Sequence, residues 1–186
     1  MKVTSEALIA ELIEKTRLNI NQVTTWNQKT IDALNWKENK DIWSALECIA
    51  HLNLYGDYYL PEIEQQITKS QSKPETYFKT GFLGNYFAKS MLPKEKLNKM
   101  KTFKDKNPIG SDLDKRALER FLVQQEKMLK LLDKARHVSL NKTKTAISIS
   151  KLFKLKLGDT FRVVIYHNER HLVQAQNVLE NYFAVH

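Results

Sequence analysis

Apolar positions recur at three- and four-residue intervals through most of the chain, the spacing that lines one face of a helix. Over residues 4 to about 34 the stripe runs through Leu8, Leu12, Ile20, Val23 and Ile31, and Thr4 or Ser5 can cap its start through a hydroxyl. Residues 35–40 are polar and charged around Trp36. A second stripe over residues 41–68 uses Ile42, Leu46, Ile49, Leu52, Leu60, Ile63 and Ile67, with Asp41 as its expected N-cap. Pro61 lies inside that stripe and lacks an amide donor, which predicts a kink or a break into two helices.

Residues 70–79 read as a loop, and Gly81 and Pro93 bracket a short helix over residues 82–91 that is expected to lie across the others. Ser111 or Asp112 opens a third long stripe, with Leu118, Phe121, Leu122, Met128, Leu129 and Leu132 on one side and Glu119, Glu126 and Lys130 on the other, ending near Ala135. Residues 138–157 are rich in Ser, Thr and Lys, and their β-branched side chains predict an extended crossing segment rather than a sheet. The last stripe follows Gly158, with Asp159 as N-cap and Phe161, Val164, Ile165, Leu172, Ala175 and Leu179 facing inward. Four amphipathic stripes can enclose one core, so the expected fold is all-α: a four-helix bundle with long crossover connections and a short extra helix, in a single domain over residues 1–186.

Composition agrees with helices: 5 Gly and 4 Pro in 186 residues leave few of the tight turns that a sheet-rich chain needs. Lys and Arg number 30 against 21 Asp and Glu, for a net charge of +9 that raises the question of a polyanionic partner. Much of the excess falls in residues 89–106, where Phe103 alone interrupts the lysines. A surface that binds nucleic acid interleaves Arg and stacking aromatics, so this segment reads as a solvated connection. The early Glu6 interrupts what would be the apolar stretch of a signal peptide, and no run approaches a membrane span. A cytoplasmic protein is therefore expected, with a small-molecule substrate and a second copy of the chain as the partners to look for.

Cys48 is the only cysteine, which excludes an internal disulfide framework and a cysteine-rich zinc site. Any metal must be held by His and carboxylates. Four residues advance a helix by about 400°, so His167 and His171 stand one above the other on the last helix. The zinc-protease helix has this spacing but needs Glu after its first His, and Asn168 stands there. His51, in the middle of the second helix on an apolar segment, is the candidate third ligand, whereas His137 and His186 have no scaffold to fix them. Spacing alone also allows these histidines to be ordinary core or surface residues.

Neighbours on the second helix could tune such a site: Cys48 and Tyr55 share the face of His51, and Glu47 sits slightly further round. Glu47 could hold an imidazole by its free N–H, or be a surface carboxylate at the helix start; Cys48 is better read as a small buried hydrophobe than as a nucleophile. Gln174, one turn past His171, could bond near the site or between helices. Trp43 could pack under the site or anchor its helix, and Glu169 and Arg170 are expected to face solvent or a dimer contact.

Trp-Ser-x-x-Glu-x-x-x-His-Leu over residues 43–52, with His-x-x-x-His-x-x-Gln over residues 167–174, resembles the DinB/YfiT-like superfamily of four-helix proteins. The resemblance covers most of the chain and implies a divalent metal on His51, His167 and His171, zinc or nickel first, with manganese or iron as alternatives. Similar proteins include thiol-dependent transferases and isomerases. The resemblance thus implies a metal-dependent transferase or hydrolase, with a low-molecular-weight thiol as the candidate cosubstrate. The reading from a different class is a non-catalytic binding or stress-response module with a structural metal or none.

Overall fold

The computed structural model describes residues 1–93 and 102–185. Helix α1, Ser5–Trp26, starts where the Thr4 hydroxyl accepts the Ala7 amide hydrogen at 3.1 Å. It ends earlier than its apolar stripe predicts. The chain leaves the helix at Asn27, and Thr30 caps a separate turn of helix, α2 (Ile31–Asn35), by accepting the Ala33 amide hydrogen at 3.3 Å. The break turns Ala33 and Leu34 into the core and leaves Ile31 exposed, although Ile31 continues the helical spacing.

Helix α3, Ala45–Lys69, begins at Ser44 and not at Asp41. Ser44 and Glu47 form a reciprocal capping box, each side chain accepting the other's backbone N–H, which satisfies two of the donors a helix start leaves open. The helix runs through Pro61 without ending. The missing hydrogen bond is outweighed by burial of Tyr59, Leu60 and Ile63 around it. Helix α4, Phe82–Met91, falls where the sequence puts it, and α5 spans Arg116–Lys134, starting later than Ser111 or Asp112.

Two small antiparallel sheets are present that periodicity does not reveal. Strand β1 (Lys2–Thr4) pairs with β2 (Tyr77–Lys79), with Val3 opposite Phe78, so part of the expected loop over residues 70–79 is a strand. Phe78 is wholly buried against Gly158, where a Cβ atom would come within 2.6 Å of its ring. The expected crossing segment is a hairpin, β3 (Lys144–Ile147) and β4 (Ser150–Lys156), and this corrects the reading that excluded a sheet. Its strands bury Thr145, Ala146, Ile147 and Leu155 against the helices. It is pinned to α3, where the Tyr58 hydroxyl donates to the Ile147 carbonyl at 3.0 Å and Glu62 accepts the Ala146 amide hydrogen at 2.8 Å.

Helix α6, Leu157–Val185, starts before its expected cap. Asp159 lies inside its first turn and caps a different helix: its carboxylate accepts the Gly81 amide hydrogen at 2.8 Å at the start of α4, along with hydrogen bonds from Thr80 and Arg162. The fold is mostly helical, as the sequence predicts. Helix α1 packs on α5 and α6, and α3 packs on the same two, so the four long helices close a ring around the core. Among the described residues, no helix is long and apolar enough to cross a membrane.

The core has two apolar clusters, one around Leu8, Ile63, Phe161 and Ile165 and the other around Trp26, Ile49, Phe121 and Leu172. All four long helices contribute buried polar residues: Thr16 and Asn19 on α1, His51 and Asn53 on α3, Gln124 and Gln125 on α5, and His167, Asn168 and Arg170 on α6. Burying such groups is costly unless they are hydrogen-bonded. Asn168 donates to Gln125 at 3.0 Å, and Gln124 donates to the Asn53 carbonyl at 3.1 Å.

Candidate metal centre

Two of these buried residues, His51 and His167, meet the partly buried His171, as the sequence leads one to expect. One ring nitrogen from each of His51, His167 and His171 lies within 4.8 Å of the others. The Nε2 atoms of His51 and His167 are 3.3 Å apart. Two nitrogens bound at a tetrahedral angle to one zinc ion would stand about 3.3 Å apart, so the spacing suits a shared cation.

The far side of two rings is tied down. His51 Nδ1–H donates to the Lys106 carbonyl at 2.6 Å, and His171 Nδ1–H donates to Gln174 Oε1 at 2.9 Å. With the proton on Nδ1, each ring keeps the lone pair of Nε2 free, the arrangement by which outer partners prepare histidine ligands. Of the two alternatives the sequence leaves open for Gln174, the structure shows the bond beside the cluster. The Lys106 carbonyl was not legible in the sequence, because a backbone oxygen carries no residue signature and lies 55 positions from its partner.

Burial holds all three rings neutral. It pushes the imidazole of His51 down to about 4, partly opposed by the bond to Lys106. It pushes His171 down to about 3, helped by the charge His51 would carry and opposed by Gln174. His167 lies well below the ordinary histidine value, first from burial and then from its histidine neighbours and Arg170. Three neutral imidazoles are the protonation state in which a divalent ion is bound.

Aromatic rings frame the cluster. Trp43 lies with its centroid 4.7 Å from that of His51 and 5.7 Å from that of His171, and its indole N–H donates to Asn107 at 3.1 Å, so it both packs against the site and anchors the chain before α3. Tyr55 stands 5.0 Å from His51 and 4.7 Å from His167, edge to face. Burial pushes its phenol up to about 12.

The other expected neighbours lie elsewhere. Glu47 is buried, but its carboxylate serves the capping box, Lys37 at 2.8 Å and the Gly110 amide at 2.5 Å, and it neither orients an imidazole nor faces solvent. Cys48 is wholly buried in the apolar cluster, where desolvation and then Glu47 push its thiol up, away from thiolate. Arg170 is buried, not solvent-facing, and Glu169 pairs with Lys15 at 2.8 Å. His137 ends a 3-10 turn after α5, and His186 lies outside the described residues, as do residues 94–101 of the basic segment.

A cavity of about 430 Å³ reaches the cluster at His167 and Tyr55. Helices α4 and α6 and the β3–β4 hairpin form its other walls, with Phe87, Leu155 and Val163 among the lining side chains. The hairpin wall depends on the β3–β4 pairing, which the spacing of apolar residues does not mark.

No curated protein and no solved structure matches the chain. A family model described as the DinB superfamily does, over residues 13–175, a span that takes in His51, His167, His171 and Gln174. With the helical ring and the three converging histidines, that match makes the chain a member of the DinB superfamily.

Proposed function

We propose that this chain is a metal-dependent enzyme of transferase or hydrolase type, acting on a small molecule held beside the three histidines. The observation that carries this reading is the continuity between the histidine cluster and the 430 Å³ cavity, which meet at His167. His51, His167 and His171 would hold the ion, zinc or nickel first. Three ligands leave a coordination position open, which distinguishes a catalytic from a closed structural site. A divalent ion bound there supplies Lewis acidity, lowering the pKa of a water or of a low-molecular-weight thiol near neutral pH.

The remaining work belongs to the chain. Lys106 and Gln174 hold His51 and His171 in the tautomer that presents Nε2. The apolar wall excludes water from the reacting groups. The Tyr55 phenol stays protonated at neutral pH and can donate a hydrogen bond at the end of the cavity. Cys48 takes no part as nucleophile.

The test is metal content by mass spectrometry on protein purified without a His tag, followed by turnover assays with thiols and small electrophiles. Near-stoichiometric metal in the wild type, its loss in His171→Ala with unchanged helical circular dichroism, and metal-dependent turnover are expected. Failure to take up zinc, nickel, manganese or iron sinks the metal reading. Tight metal without any turnover across the panel favours the binding-module alternative.

A further inference from the structure

We propose that a second pocket, where the end of α3 meets the β3–β4 hairpin, binds a small anion through its lysines, with two adjacent phosphate groups as the recognised unit. This pocket shares no lining residue with the cavity beside the histidines, so the proposal stands apart from the enzyme reading.

The pocket has a volume of about 360 Å³. Lys69 reaches it from the last turn of α3, Lys142 and Lys144 from the chain entering and forming β3, and Lys154 from β4. The rest of the wall is Gln, Ser and Thr, with no carboxylate among the described residues. Lys69, Lys144 and Lys154 form no ion pair among the described residues. Residues 94–101 bring no net negative charge wherever they lie, because Glu95 stands among four lysines. Glu75 interacts with Lys142, but it is not part of the wall and its carboxylate accepts hydrogen bonds from Ser139 and Asn141.

Folding gathers these charges against their own repulsion. Lys144 stands directly opposite Lys156 in the hairpin, a pairing of like charges that costs stability. Lys156 turns its ammonium away, to the Lys79 carbonyl at 2.6 Å, whereas Lys144 and Lys154 stay at the pocket. The carbonyls that end α3 add about half a negative charge there, which four ammonium groups outweigh. An anion with several charges relieves the repulsion, and lysine binds phosphate as a point charge.

The floor supplies further donors. Thr143, 6% exposed, forms a triangle of hydroxyls with Ser70 and Ser72, at 2.7, 2.8 and 3.1 Å. The Ser72 and Ser139 amides donate into the same triangle at 3.3 and 3.2 Å. A hydroxyl hydrogen rotates about its C–O bond, so one member can turn its donor to an oxyanion while its oxygen still accepts. No aromatic ring lines the pocket, so a nucleobase would find nothing to stack on.

Calorimetric titration with inorganic diphosphate tests the proposal, in about 0.1 M salt so that charges more than about 10 Å away are screened. Wild type should bind one equivalent saturably. Lys144→Glu and Lys154→Glu should each weaken binding by about tenfold or more, since a like charge then faces the ligand. Lys40→Glu makes the same change of charge at an exposed position before the start of the 25-residue α3, and should shift binding by no more than about twofold. His171→Ala should bind the anion as wild type does, and ADP should bind no more tightly than diphosphate. Should a hairpin variant fail to fold, Lys69→Gln on α3 decides by weakening binding in the same direction. The proposal is overturned by the absence of saturable binding, or by equal weakening in Lys40→Glu, which would mean attraction to the +9 chain at large. Binding that His171→Ala abolishes and the lysine variants keep would put the anion on the histidines and overturn it too. Tighter binding of ADP would overturn the phosphates as the whole recognised unit.

Discussion

The thiol of Cys48 lies wholly inside the apolar cluster around Trp26, Ile49, Phe121 and Leu172, and burial raises its pKa. Reaction with an alkylating reagent requires both exposure and thiolate, and Cys48 has neither. Native protein at pH 8 should therefore resist iodoacetamide and label only on unfolding, as mass spectrometry would record; rapid labelling of folded protein would contradict the packing. The histidines make the matching case for pH. An unfolded histidine titrates near about 6.5, whereas folded His51 and His171 titrate near about 4 and about 3. Between those values the unfolded chain binds protons that the folded chain refuses, so stability falls as pH drops through the window. The urea midpoint of metal-free protein should decrease from pH 7 to pH 5, and do so less steeply in a His51→Asn, His171→Asn double variant. Equal slopes would mean that the rings titrate normally.

At the scale of elements, the close approach of α3 and α5 depends on a missing side chain. A Cβ at Gly56 would come within 2.1 Å of Gln124 Oε1, and Gln124 is held in place by the Asn53 carbonyl at 3.1 Å and by Asp57 at 3.0 Å. Gly56→Ala should destabilise the fold by about 1–3 kcal/mol, the range for overpacking. Combined with Gln124→Ala the loss should be less than additive, because the second change removes the atoms that clash. Denaturant melts of the four proteins close the cycle, and strict additivity would show that the helices do not meet there.

Across the whole molecule, the histidine cluster joins helices far apart in sequence, with His51 on α3 and His167 and His171 on α6. A ligand that binds only where those helices are docked stabilises the folded chain by mass action, by about 2.7 kcal/mol at one hundred times its Kd. For a protein of this size that corresponds to a rise in Tm of about 5–10 °C. Calorimetry with and without zinc should show the rise in wild type and none in His167→Ala. A metal that bound without raising Tm would be sitting on the surface.

Periodicity in the sequence determined the four long helices and the short α4, because amphipathic spacing is a local property that each segment carries alone. The same locality put His167 and His171 on one stripe and made His51 the natural third partner. Helix ends were less legible, since Ser44 outcompetes Asp41 only through a box closed with Glu47, and Asp159 is drawn from its own helix to cap α4. Pro61 is carried within α3 by the burial of its neighbours. What only the tertiary structure decided depends on groups distant in the chain: the Lys106 carbonyl on His51, the hairpin folded over Tyr58 and Tyr59, and the cavity that hairpin and α4 build beside His167. Those contacts form only when separate helices are already packed, so no local pattern of residues encodes them.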